Sequence, residues 1–69
     1  MSIIYKRTLK GIEESVLRTQ GLQLKFRSYL ILVDGKQTVI EIQRAHPELA
    51  DVDLVLDVLL QDGYLEILQ

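Results

Sequence analysis

Sixty-nine residues with eight Lys or Arg, ten Asp or Glu and no cysteine make one small domain of net charge −2, near the lower size limit for a core without staples. Without cysteine there are no disulfides or thiolate metal sites, and no apolar run reaches the roughly 18 residues of a membrane span. The charge is divided unevenly: residues 1–44 carry eight basic against four acidic groups, net +4, whereas residues 45–69 carry six acidic groups and no basic one, net −6.

Residues Ile3 to Tyr5 are β-prone, and the region up to residue 8 reads as a basic entry arm with Lys6 and Arg7, continued by Lys10. These charges interrupt the apolar stretch that a signal peptide requires, so a cytoplasmic location is expected. Over residues 9–20 the spacing turns helical. Leu9, Ile12 and Val16 form the stripe expected to face the core, Thr8 is the N-cap and Gly21 the stop. Glu14 and Arg18, at i and i+4, are expected on the solvated face, where such a pair contributes about 0.3 kcal/mol.

A second helix is predicted from about Leu24 to Val33, with Phe26, Tyr29, Leu30 and Val33 on one buried face and Leu24, Ile31 and Leu32 widening the apolar arc. Asp34-Gly35 supplies a turn, because glycine reaches positive φ without steric cost. Gln37 to Val39 is read as briefly extended. Thr38 followed by Glu41 is a capping box opening a third, short helix, with Val39, Ile42 and Ala45 facing inward and Pro47 ending it at or before His46.

Asp51 or Asp53 is expected to cap the fourth helix. Val52, Val55, Leu56 and Leu59 form its stripe, broadened by Leu54, Val58 and Leu60, so that Asp53, Asp57 and Gln61 face water. After Gly63, the stretch Tyr64 to Leu68 alternates like a half-buried strand, Leu65 and Ile67 on the inner side and Tyr64, Glu66 and Leu68 on the other. The predicted core is organised by Phe26, Leu30, Val33, Ile42, Val55, Leu59 and Leu65.

The run ending Leu32-Val33-Asp34-Gly35, then Thr38-Val39 with Glu41-Ile42, the helix into Leu59-Leu60, and Asp62-Gly63-Tyr64-Leu65 together resemble the winged helix-turn-helix core over residues 24–68. The same Asp-Gly turn, Thr-Val-capped helix and glycine before a hydrophobic strand are similar to the small peptide-chaperone family of pyrroloquinoline quinone biosynthesis. The resemblance implies a mainly α fold with a small β-sheet: four helices and a C-terminal strand, the wing incomplete. It also departs from DNA-binding relatives, since the helix that would read DNA, Val52 to Asp62, has no group able to pair with guanine or neutralise phosphate.

Catalysis has little to work with. His46 beside Pro47 suits a helix end, and Ser15 and Ser28 have no neighbouring His at helical spacing. Asp51, Asp53 and Asp57 lack the glycine and terminal glutamate of a calcium loop, and Gly11, Gly21, Gly35 and Gly63 are isolated, so no phosphate cradle forms. The chain is therefore expected to be a noncatalytic interaction or assembly module without cofactor, binding a protein partner or a second copy through a strand edge at Tyr64, Glu66 and Leu68. An alternative is a DNA-binding regulator that meets phosphates, or an acidic partner, through Lys6, Arg7, Lys10, Lys25 and Arg27. The family resemblance implies a third, a peptide-binding chaperone.

Overall fold

A computed structural model describes residues 3–17 and 21–68. Among them the chain runs β1 (Tyr5–Arg7), α1 (Leu9–Leu17), α2 (Leu24–Leu32), α3 (Val39–Ala45), α4 (Val52–Gln61) and β2 (Leu65–Ile67). The fold is mainly α with a small β-sheet, as the periodicities predict. Arg18, the expected partner of Glu14, lies outside the described residues together with the rest of 18–20.

Local chemistry sets most boundaries. The Thr8 hydroxyl accepts the Gly11 N–H (3.1 Å) and so caps α1. After α2, Gly35 adopts φ 77° and the Asp34 carboxylate accepts the N–H groups of Lys36 (2.9 Å) and Gln37 (3.1 Å). The first of these bonds holds the Asp34 carboxyl below its ordinary value; burial opposes it, and the bond from Gln37 adds to the lowering. Thr38 and Glu41 close the capping box of α3 reciprocally, Thr38 N–H to Glu41 at 2.8 Å and Glu41 N–H to Thr38 at 3.1 Å. At α4 the expected side-chain cap is missing. Asp51 precedes the helix in the left-handed region (φ 53°) and makes no capping bond, while Asp53 lies within the first turn.

Residues 4–8 are tied into the sheet by backbone pairing rather than forming an arm. β1 pairs antiparallel with β2 in the register Tyr5–Ile67, Lys6–Glu66, Arg7–Leu65. Thr8 N–H donates to the Tyr64 carbonyl (3.1 Å) and Leu68 N–H to the Ile4 carbonyl (2.8 Å). Antiparallel alternation then makes 4–68, 6–66 and 8–64 the hydrogen-bonded pairs, and turns the backbone groups of Tyr5, Arg7, Leu65 and Ile67 to the outer edges. Beyond β1 that edge is partly taken, because Ile4 bridges Thr38 and Val39 N–H donates to the Ile3 carbonyl (3.1 Å). Beyond β2 no further strand pairs among the described residues.

The core gathers Leu30, Val33, Ile42, Val55, Leu59 and Leu65 as predicted, with Phe26 packed partly buried against them; Tyr5, Tyr29, Val52, Leu56 and Tyr64 join it. Tyr29 also donates its hydroxyl to the Ala50 carbonyl (2.7 Å), tying α2 to the loop before α4.

Several orientations differ from the sequence reading. Leu24 and Ile31 on α2, Ala45 on α3, and Leu54 and Val58 on α4 are exposed, so the buried arcs are narrower than the apolar arcs. In the C-terminal segment Tyr64 is buried and Ile67 exposed, the reverse of the expected alternation, because Tyr64 lies before the strand and packs under α1 while Ile67 lies near its end. The largest difference is α1, whose Leu9, Ile12, Val16 and Leu17 face outward while Gly11 and Glu14 are buried.

Candidate functional site

The three residues expected to form a partner-binding edge separate. Tyr64, 6% exposed, is a core residue; its N–H donates to the Leu59 carbonyl (2.9 Å) and its carbonyl accepts from Thr8. Glu66 is exposed but meets Lys6 across the sheet at 3.3 Å, and its backbone groups belong to the ladder with β1. Leu68 is exposed, yet its N–H is held by Ile4. The groups that open outward from β2 are those of Leu65 and Ile67. Only Ile67, 58% exposed, combines an outward backbone with an accessible side chain. Strand alternation pointed to the even-numbered side chains; the pairing partner, absent from any local pattern, decides which backbone groups remain free.

The basic candidates disperse. Arg27 is 7% exposed: its Nε donates to the Glu14 carbonyl (3.3 Å) and its Nη2 to the Ser15 carbonyl (3.0 Å), which removes it from any phosphate-contacting set. Arg7 is half-buried and donates to the Ser15 hydroxyl (3.2 Å). Lys10 donates to the Asp62 carbonyl (2.8 Å) and lies 4.5 Å from the Tyr64 ring centroid, a cation–π distance. Lys6 is committed to Glu66, and Lys25 is exposed. Charges adjacent in sequence thus serve separate contacts.

Under α1 these contacts form a polar seam. Glu14 is 0% exposed, contrary to the solvated position expected for it, and its carboxylate accepts the Leu22 N–H (2.8 Å). Thr8 donates to the Gly63 carbonyl (2.6 Å). At Gly11 a Cβ would overlap the Tyr64 carbonyl oxygen, so the helix can lie this close only with glycine there. The signal was present in the sequence as Gly11, Glu14 and Ser15 at i, i+3 and i+4, and as Arg27 inside an otherwise apolar helix.

Electrostatics sharpen the sheet's two sides. Burial pushes the Tyr5 phenol above its ordinary value, with Asp57 and then Asp53 of α4 adding to the shift. Tyr5 is the register partner of Ile67, so the inner side of the open edge borders an acidic helix face. Tyr64 is likewise raised, first by burial and then by Glu14 and Asp62. Among the described residues no group of three or more His, Cys, Asp or Glu is placed to hold a metal ion, and no helix is long and apolar enough to cross a membrane. Comparison with protein-family models, curated proteins and solved structures found no match for the chain.

Proposed function

We propose that the chain is a noncatalytic protein-interaction module that takes up an extended segment of a partner protein along the open side of β2. The observation that carries this reading is the asymmetry of the sheet: on the β1 side the outer edge is partly taken just before the strand, by the Ile4–Thr38 bridge and the Val39 N–H bonded to the Ile3 carbonyl, while among the described residues β2 is paired on one side only. An unpaired edge offering the N–H and C=O groups of Leu65 and Ile67 beside an exposed Ile67 side chain is the arrangement used in strand addition. Asp53 and Asp57 near Tyr5 favour a segment that is apolar with a basic residue, since residues 45–69 contain no basic group to neutralise them. This reading also accommodates the resemblance to winged-helix and peptide-chaperone domains, β1 occupying the place beside β2 that a second wing strand would fill. The regulator reading has less support, because Arg27 is buried and the exposed face of α4 bears Asp53 and Asp57.

Selection from a displayed random peptide library tests the proposal. Enriched peptides should be extended, apolar and basic, and should slow amide exchange at Leu65 and Ile67. Ile67→Pro should weaken their binding at least tenfold while preserving the β1–β2 pairing, because the Ile67 N–H points away from β1. Binders indifferent to Ile67→Pro, or no shared motif among them, would reject the strand-edge site.

A further inference from the structure

Glu66 is the one charged residue of β2, and the register fixes where its side chain can reach. Its backbone groups face β1, so a segment added to the open side bonds to Leu65 and Ile67 and meets Glu66 in a non-hydrogen-bonded position. There the facing Cα atoms come within about 4.5 Å and the side chains are closest. On the other side Glu66 meets Lys6 through Oε1 at 3.3 Å, with 48% of the Lys6 side chain and 51% of the Glu66 side chain exposed. A contact that open leaves the carboxylate with acceptor positions for a second cation. Beside it on the same face Leu68 is 50% exposed, and Ile67 on the opposite face is 58% exposed. These are the apolar side chains that a neighbouring segment covers.

We propose, resting on the strand-edge reading of β2, that Glu66 selects the segment taken up there: an antiparallel stretch of a partner protein whose residue opposite Glu66 is Lys or Arg, preceded by two apolar residues lying beside Leu68 and Ile67. Charge complementarity decides the residue. The partner's cation stands one strand spacing, about 4.8 Å, from Glu66 and two spacings, about 9.5 Å, from Lys6. The second separation is roughly a Debye length, so the repulsion from Lys6 is screened and the attraction of Glu66 prevails. By strand alternation this cation lies on the face away from Tyr5 and the α4 acids, so it is distinct from any basic residue that Asp53 and Asp57 attract. The same carboxylate turns away a second copy. A two-fold pairing of β2 with β2 that uses the outward groups of Leu65 and Ile67 in both copies sets Glu66 directly opposite Glu66 of the twin, and like charges in that position destabilise the pair.

Displayed random peptides selected separately on the wild type and on the double variant Lys6→Glu with Glu66→Lys test the role of Glu66. The exchange keeps the cross-strand pair with its signs reversed at two half-exposed positions, so circular dichroism should be unchanged. Wild-type binders should carry two apolar residues followed by Lys or Arg, and binders of the variant two apolar residues followed by Asp or Glu. A wild-type peptide should bind the variant about five- to tenfold more weakly, and its charge-reversed form should recover the loss. Selection on Glu66→Gln, neutral and of the same shape, should lose the charge preference at that position and gives the same reading if the exchange disturbs the fold. All three sets should lose binding when Ile67→Pro is added. Binders that need the Ile67 backbone but keep one and the same charge preference on every background overturn the role of Glu66 and leave the strand edge standing. Binders indifferent to Ile67→Pro reject the strand edge itself, and this proposal with it. In sedimentation, a wild-type dimer that Ile67→Pro dissolves overturns the exclusion of a second copy.

Discussion

α1 and α4 carry sequence patterns of the same kind and use them in opposite ways. Both show large apolar residues at helical spacing with charges between. In α4 the stripe Val52, Val55, Leu56 and Leu59 turns inward and is buried. In α1 the equivalent stripe turns outward and the buried side is Gly11 and Glu14. Periodicity establishes that a helix has an apolar face; it does not say that the core lies on that side. What decides is the environment each helix meets. α4 is surrounded by apolar side chains of α2, α3 and β2, whereas α1 lies on the backbone of residues 62–64 and on the guanidinium of Arg27, where polar bonds and close approach outweigh area.

The widest expected contrast is between two leucines. Leu59, 0% exposed at the centre of the core, should cost about 2–5 kcal/mol when replaced by Ala, enough to unfold much of a domain this size. Leu9→Ala, on the outer stripe, should change monomer stability by less than about 0.5 kcal/mol. Urea unfolding at dilute concentration measures both. Similar losses at the two positions would mean that α1 is packed stripe-inward, and the comparison would fail.

Next in size is the polar seam. Arg27→Met keeps the side-chain length but leaves the Glu14 and Ser15 carbonyls without their guanidinium donors, and a loss of about 1–3 kcal/mol is expected. Gly11→Ala sets two effects against each other. Helix propensity favours alanine by about 1 kcal/mol, but the new Cβ meets a backbone carbonyl that cannot swing aside, and overpacking of this kind costs about 1–3 kcal/mol. Steric overlap wins, so the variant should be destabilised. A stabilised Gly11→Ala would show that α1 stands off from Tyr64.

These contrasts explain how far the sequence could be read. Helix positions, the Thr38–Glu41 box and the Asp34-Gly35 turn were legible, because each rests on bonds within a few residues. Most of the core was legible too, since α2 and α4 bury the centres of their apolar arcs. The pairing of β1 with β2 and the placing of Glu14 and Arg27 were not, because they depend on contacts between residues 13 to more than 60 positions apart. The open edge lies within the segment that strand alternation singled out, with Leu65 and Ile67 supplying its outward backbone groups. Strand alternation placed Tyr64 outside, and only the register shows that Ile67 carries the free backbone.

The smallest expected effect separates the two helices electrostatically. Tyr5 faces the α4 acids Asp57 and Asp53, and Tyr64 lies under α1 beside Glu14. Both phenols are raised, chiefly by burial, so the folded state holds their protons more tightly than the unfolded chain, in which tyrosine titrates near pH 10. Stability from this source is fully present below about pH 10 and is lost as pH rises through the folded-state values. Unfolding free energy should therefore decline above that pH, while spectrophotometric titration of the native protein shows Tyr5 and Tyr64 ionising later than free tyrosine. Asp57→Asn should bring Tyr5 partway back and leave Tyr64 where it is, as Asp57 acts on the first and Glu14 and Asp62 on the second. Because burial is the larger cause, most of the Tyr5 shift should survive the substitution; its complete disappearance would mean that the α4 acids, and not the core, set the environment on the inner side of the sheet.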